Sequence, residues 1–593
     1  MPWSARPAVE VLLLALVAGF GGGAMAAAAP LGFPLDDAWI HLQIARNFST
    51  GHGFGLNSDE PVSLSTAPLW TLLVALLHLL PWSIVASVKA VGALLLFGNA
   101  LCTRLLAREL GLPGSWALLA GLVVALTPRF LWASQSGMEI LLYTLLASGG
   151  LVLHMRTFVV APSLWGTGLW ASAVLARPEC AILFPLAVVD RWRTEGRLLA
   201  MVALYWKHVL LFILLLVPWV LFNLGYGSGP LPNTFYAKVG SYGLMGALAD
   251  GAWLRVGAAV LLYPLEQMQE LVQFSVENNV LLTVAAPLGL LALMRRGKET
   301  SWLIPLVLIG FPILRGLLAP FKGATFQQGR YAAYLVPLLT VVGLVGLREA
   351  WAVLREQLQE GRARLWRYWL RRLVWVCVLG NVLVLDLRQG RDYAANVADI
   401  NQMHVAMGQW LAANTPAEAV VASNDIGAIA YFSERWLLDI VGLATPEVLG
   451  YLQPGVAADL GVLRYLEKTQ PDYLVLLPNW YPQLAEMHYL FRPVHTIEVA
   501  PGTIAGGTRL VAYRTVWADD CAGLSRRQLA DAIRAAFYNG LNLIAAKIYQ
   551  VAAVSLTPMG SLRAMRVKSP RLLSFAPLLF QSALSPAYKP AAQ

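Results

Sequence analysis

Pro34-Leu35-Asp36-Asp37-Ala38-Trp39-Ile40-His41 follows directly on an apolar run over residues 9–29. The run is long enough to cross a bilayer, which takes ~20 apolar residues. Two adjacent carboxylates at its exit are costly to hold beside lipid. They must be solvated, paired or used, and ionisable groups at this depth point to a functional site. The stretch continues into Arg46-Asn47 and Gly51-His52-Gly53-Phe54-Gly55.

The rest of the chain sets the context. It has 593 residues, 58% of them hydrophobic and 13% charged, where a soluble globular protein carries roughly 25% charged residues. Apolar runs recur through the first 390 positions, so the composition predicts a polytopic α-helical membrane protein. The net charge of +10 then reads as the Lys/Arg excess of cytoplasmic loops and gives no reason to expect nucleic acid. Cys102, Cys180, Cys377 and Cys521 show no metal or disulfide spacing and read as packing residues.

Residues 24–30 are Ala-rich and resemble a signal-peptidase site, but the many later runs favour a retained first helix. Residues 69–80 are apolar yet too short to span, and Trp70, His78 and Trp82 suit a helix lying along the membrane surface. With that segment left out, the basic clusters at 104–108, 156, 191–197, 295–298 and 348–372 fall on one side. The predicted spans are 9–29, 84–106, 115–133, 139–157, 163–176, 178–190, 208–223, 279–294, 301–318, 331–347 and 372–388. The pair around Arg177-Pro178 reads as a broken hairpin. The N-terminus is then inside and everything after residue 388 is outside.

Beyond the last span, residues 419–423 and 472–477 read as buried strands, with helices over 405–413 and 462–467. The expected organisation is a membrane domain over 1–388, a small extracytoplasmic α/β domain over 389–520, and a helical or poorly ordered tail over 521–593.

Three groups of residues on the predicted outer face carry chemistry. Asp36 is placed to cap a helix over 37–49, with Asp37 and His41 as i,i+4 neighbours. A carboxylate near a low-dielectric boundary and beside another carboxylate has its pKa raised toward a useful base. Lys238, Arg177, Lys322 and Arg330 run against the positive-inside bias and call for an anion, such as a lipid phosphate. Glu139 and Glu179 are the competing partners. In Pro230-Leu231-Pro232-Asn233-Thr234-Phe235-Tyr236-Ala237-Lys238, the residues Asn233 and Tyr236 suit a sugar. No histidine shows metal-ligand spacing, so no metal or cofactor is required, and Asp36/Asp37 is the place where a divalent cation could sit.

Several stretches, in order, resemble a GT-C-type glycosyltransferase family that includes terminal β-(1→2)-arabinofuranosyltransferases. They are Asp36-Asp37-Ala38-Trp39-Ile40, Arg46-Asn47, Gly51-His52-Gly53-Phe54, Asn57 and Thr66-Ala67-Pro68-Leu69-Trp70. Later come Ser136-Gly137-Met138-Glu139, Ala176-Arg177-Pro178-Glu179, the 230–238 stretch and Gly329-Arg330-Tyr331 with Pro337. Asn424-Asp425 through Tyr431, Leu438-Asp439 through Leu443 and Pro471 through Val475 complete the set, which covers roughly residues 10–515. The resemblance implies a sugar donor on a polyprenyl monophosphate and a glycan, lipid or protein acceptor. It also implies inverting transfer at the outer face of the bacterial cytoplasmic membrane, with the family's catalytic acidic pair on Asp36 and Asp37 and Asp36 favoured over Asp37 as the base. Trp70, His41 and Glu139 are further candidates for contact with the sugar or acceptor. His41, Gln43 and Ser63-Leu64-Ser65 depart from the family pattern and leave the acceptor open. A mannosyl-type transferase to protein or lipid-linked glycan is the alternative enzyme. A lipid or glycan transporter would instead place ionisable residues deep in its spans and show inverted repeats, which the sequence lacks.

Overall fold

The computed structural model describes residues 6–239, 243–297, 300–319, 323–357, 363–452, 457–500 and 504–518. The predicted spans fall on helical segments, with 115–133 divided between two helices and 178–190 between a 3-10 turn and a helix. Five helices are long and apolar enough to cross a membrane: Pro7–Ala27, Ile84–Glu109, Ile140–Thr157, Leu198–Tyr226 and Leu335–Leu354. A sixth candidate is the pair Gly114–Ala125 and Pro128–Ser134, bent by 57°. Pro128 supplies no N–H to continue the first helix, so the chain turns there. Shorter apolar helices include Leu164–Ala176, Val280–Met294 and Leu303–Leu318.

Two boundaries differ from the expected ones. The segment expected at 208–223 belongs to one helix of 29 residues, Leu198–Tyr226, with Pro218 inside it. The one expected at 372–388 is the middle of a 38-residue helix, Ala363–Ile400. At Arg177-Pro178 the chain does break: Arg177 is extended (φ −162°, ψ 118°) and a 3-10 turn, Pro178–Ile182, leads into Leu183–Glu195. The residue before a proline is pushed out of the helical region by the ring, which gives this joint its cause.

The 69–80 segment is a ten-residue helix, Pro68–Leu77. It buries Pro68, Trp70, Thr71, Val74 and Ala75 on one face and exposes Leu72 and Leu76.

The long helix leads into a five-stranded sheet: β1 (Val420–Ser423), β2 (Trp436–Asp439), β3 (Tyr473–Leu476), β4 (Phe491–Glu498) and β5 (Arg509–Thr515). The order is β2-β1-β3-β5-β4. β1 is parallel to β2 and β3, and β5 is antiparallel to β3 and β4. Side chains alternate across β1 and β3. Ala422, Leu474 and Leu476 pack with Val462, Leu463 and Leu466 of the Ala458–Thr469 helix. Val421, Val475 and Leu477 join a core that runs on through Ile426, Ile429 and Met407 into the membrane helices. A strand buried on both faces reads as an unbroken apolar run, which is why these two were visible in sequence. That shared core holds the sheet against the loop that carries the acidic pair.

Candidate active site

The acidic pair opens the helix Asp36–Ser49. This helix lies between Pro68–Leu77 on one side and Gly427–Ser433, the helix that links β1 to β2, on the other. Its Trp39 is buried against Phe33, Tyr431 and Phe432, with ring centroids 4.8–5.3 Å apart. Asn57, further along the same loop, donates to the carbonyl of Leu437 at 3.0 Å and accepts from its N–H at 2.9 Å. The segment after the first helix is thus sealed onto the sheet.

The expected cap is corrected. Leu35, not Asp36, occupies the N-cap position, and no side chain caps this helix. The Asp36 carboxylate reaches across instead and accepts from the backbone N–H groups of Gly427 (2.8 Å) and Ala428 (2.7 Å). These are free donors at the start of the neighbouring helix. Only glycine fits at 427, because an added Cβ would lie 2.1 Å from the Asp36 carbonyl oxygen.

The two carboxylates meet opposite environments. Burial pushes Asp36 up to about 6, helped by the nearby Asp425 and opposed by His404 and the two amides. Asp37 is also buried, but Arg330, Lys238 and His41 outweigh that and hold it at about 2. His404 is almost fully buried and bonds Asp425 through Nε2 at 3.1 Å. Burial lowers the His404 pKa, and Asp425 and Asp36 together more than reverse that, so it is raised. His404 and Asp425 were not expected here. They come from the far side of the sheet joint, and only the block Asn424-Asp425 hinted at them.

Asp37 opens a buried chain of alternating charge. It pairs with Arg330, whose Nη1 also takes Gln327 Oε1 at 3.1 Å. Arg330 Nε lies 3.4 Å from Glu139 Oε1. Glu139, with no exposed surface, pairs in turn with Arg177. Arg177 Nε lies 3.1 Å from Glu179, and Arg315 stands 3.8 Å beyond. Arg177 and Arg315 both lie over the Tyr331 ring at 4.6 Å. Gln327 and Gln328, at φ 44° and 60°, hold left-handed backbone just before Arg330. Each costs about 1–2 kcal/mol without a glycine, a cost met where surrounding contacts fix the segment.

The other expected site residues divide. His41 faces the chain, with Nδ1 on Thr71 Oγ1 at 2.9 Å and Nε2 3.6 Å from Glu139. Lys238 is half-buried near Asp37 and Tyr331, and no ion pair of it is found among the described residues. Lys322 lies outside the described residues. Arg177 is corrected: only 3% exposed and held by two carboxylates, it is a strut for Glu139 and has no free face for phosphate. Trp70 is corrected too. It is 1% exposed, and its indole N–H bonds the Gly137 carbonyl, so no ring face is open to a sugar. Asn233 accepts from Ser228 N–H and Tyr236 accepts from Leu231 N–H, so both fold their own loop. Two prolines and two glycines nearby demand such internal bonds.

An open groove of about 470 Å³ begins beside Trp39. Leu31, Val85, Val405 and Phe432 line it, with Asn401 and Gln409 as its polar members. Among the described residues no His, Cys, Asp and Glu side chains converge into a metal-binding group.

Comparison with solved structures places this arrangement. The oligosaccharyltransferase of Archaeoglobus fulgidus in its apo form superposes with a TM-score of 0.56 at 13% identity, covering 88% of this chain and 76% of that one. ArnT from Cupriavidus metallidurans, also in the apo state, gives 0.50 at 13% identity, covering 88% of this chain and 100% of that one. This is the GT-C glycosyltransferase fold. Residues 391–537 match a family model described as a domain of unknown function, DUF8728. No curated protein matches the sequence.

Proposed function

We propose that the protein is an inverting membrane glycosyltransferase that moves a sugar from a polyprenyl monophosphate to a glycan, lipid or protein acceptor at the outer face of the cytoplasmic membrane. The observation that carries this reading is the separation of the two carboxylates. Neighbouring acids whose environments drive their pKa values apart take different roles. Asp36, at about 6, is matched to accept a proton near neutral pH. The amides of Gly427 and Ala428 take one lone pair on each oxygen and fix its direction, and the remaining lone pairs stay available. Asp37, at about 2, is too weak a base and is paired with Arg330.

In the reaction, the acceptor hydroxyl attacks the anomeric carbon from the face opposite the phosphate. The O–H proton passes to Asp36, the new C–O bond forms, and the bond to phosphate oxygen breaks. Charge then grows on the leaving polyprenyl phosphate, where Arg330 and Lys238 stabilise it. The fold supports the donor class, since the Archaeoglobus fulgidus oligosaccharyltransferase is known in complex with a dolichol-phosphate. The apolar lining of the groove beside Trp39 suits a lipid chain. Arabinofuranose is the sugar that the sequence blocks favour, with mannose as the alternative. A transfer assay with purified protein, polyprenyl-phosphate arabinose and polyprenyl-phosphate mannose tests this. Turnover with one of them, reduced ~100- to 10,000-fold in Asp36→Asn, is expected. Full turnover by Asp36→Asn would remove Asp36 as base.

A further inference from the structure

Arg330 is only 5% exposed, while the Asp37 side chain in contact with it is 31% exposed. Of the groups around the guanidinium, Glu139 is completely enclosed and Gln327 is fixed by its own left-handed backbone. Asp37 is therefore the partner on the solvent side. Its carboxylate pairs directly with Arg330, and Lys238, from a distant part of the chain, adds a second favourable charge. A carboxylate in such a place offers oxygens much as a phosphate does, and both bind guanidinium through charge-assisted hydrogen bonds.

The charges fit an exchange. Asp37, Glu139 and Glu179 alternate with Arg330, Arg177 and Arg315, and Lys238 is a further cation beside them. A sugar phosphodiester brings one negative charge. It can take up Lys238 and Arg330 Nη1 only if Asp37 gives way, because the two N–H groups of that nitrogen already go to Asp37 and Gln327. The Glu139–Arg177–Glu179 chain behind Arg330 is buried and stays as it is.

We infer that Asp37 is a stand-in anion: in the empty site its carboxylate holds the place beside Arg330 and Lys238 that a polyprenyl phosphate takes, and binding exchanges one for the other. This rests on the polyprenyl-phosphate reading above. It makes Asp37 a competitor of the donor, so its removal strengthens binding.

The test uses the full chain in lipid nanodiscs and decaprenyl phosphate as probe, with affinity read by native mass spectrometry. Asp37→Asn should bind the probe roughly 10- to 100-fold more tightly than wild type, the worth of a charge-assisted bond that no longer has to be broken. Asp36→Asn removes the same charge one residue away but no contact to Arg330. It should change affinity by less than about threefold, which separates exchange from general electrostatics. A second measurement uses the wild type alone. Carbodiimide labelling of Asp37, mapped by peptide mass spectrometry, should rise when the probe is added, the reverse of ordinary ligand protection. Unchanged or weaker binding by Asp37→Asn, or protection of Asp37 by the probe, overturns the exchange while leaving the transferase reading in place. No binding of the probe by wild type overturns both.

Discussion

Replacing His404 with Gln should move the acid limb of the pH–rate profile upward. The Asp36 carboxyl sits at about 6 against an ordinary 3.8. Those roughly two pH units correspond to about 3 kcal/mol set against its ionised form. A base must be ionised to accept a proton, so the rate should climb about tenfold per pH unit below 6 and level off above it. At pH 5 the wild type should run at about a tenth of its plateau. His404 works against the burial of Asp36 because its positive charge favours the carboxylate, whereas Asp425 works with burial. Glutamine keeps a donor for Asp425 and loses the charge. The Asp36 pKa should then rise by roughly one unit, since a nearby opposite charge moves a carboxyl by about 1–3. The assay is donor-saturated transfer from pH 4.5 to 8.5, with folding checked by size exclusion. A phosphodiester donor stays ionised throughout this range, so the limb reports the protein. A wild-type limb near pH 4, or a His404→Gln limb at or below the wild-type position, would refute the reasoning.

Three further outcomes are expected. Arg330→Lys should lose at least tenfold in kcat/KM over a donor titration despite keeping its charge, because a point charge cannot serve Asp37, Glu139 and Gln327 together as the planar fork does; unchanged kinetics would make Arg330 a simple anchor. Gly427→Ala should cost about 2 kcal/mol or more in stability and most of the transfer rate, since the new methyl collides with Asp36; a thermal melt and an activity measurement read both, and wild-type values in both would contradict the packing. Cysteine at position 58 should react with an impermeant maleimide on intact cells lacking the native cysteines, and cysteine at 297 only after permeabilisation; labelling of 297 from outside would invert the proposed orientation.

How much of this was legible depended on the range of the contacts. The helices were plain because each apolar run declares itself locally, and β1 and β3 were plain for the same reason. β4 was missed because Arg492, Pro493 and Val494 are exposed on a sheet edge and leave no apolar run. The acidic pair was visible as a pair, but its division of labour was not. Arg330 meets Asp37 across 293 positions, and Gly427 meets Asp36 across 391. No local pattern encodes such distances. Trp70 looked like a membrane-surface aromatic because its composition fits one, and only the Gly137 carbonyl reveals a different use.

The bond between Asp36 and the amides of Gly427 and Ala428 also carries a consequence for biosynthesis. The ribosome delivers the acid early and its amide partners nearly four hundred residues later. Until β1 and the helix behind it have folded, Asp36 lacks the two amides that direct it. Catalytic competence becomes the last thing the nascent protein acquires, and a chain stopped at residue 400 should insert stably yet transfer nothing in the same assay.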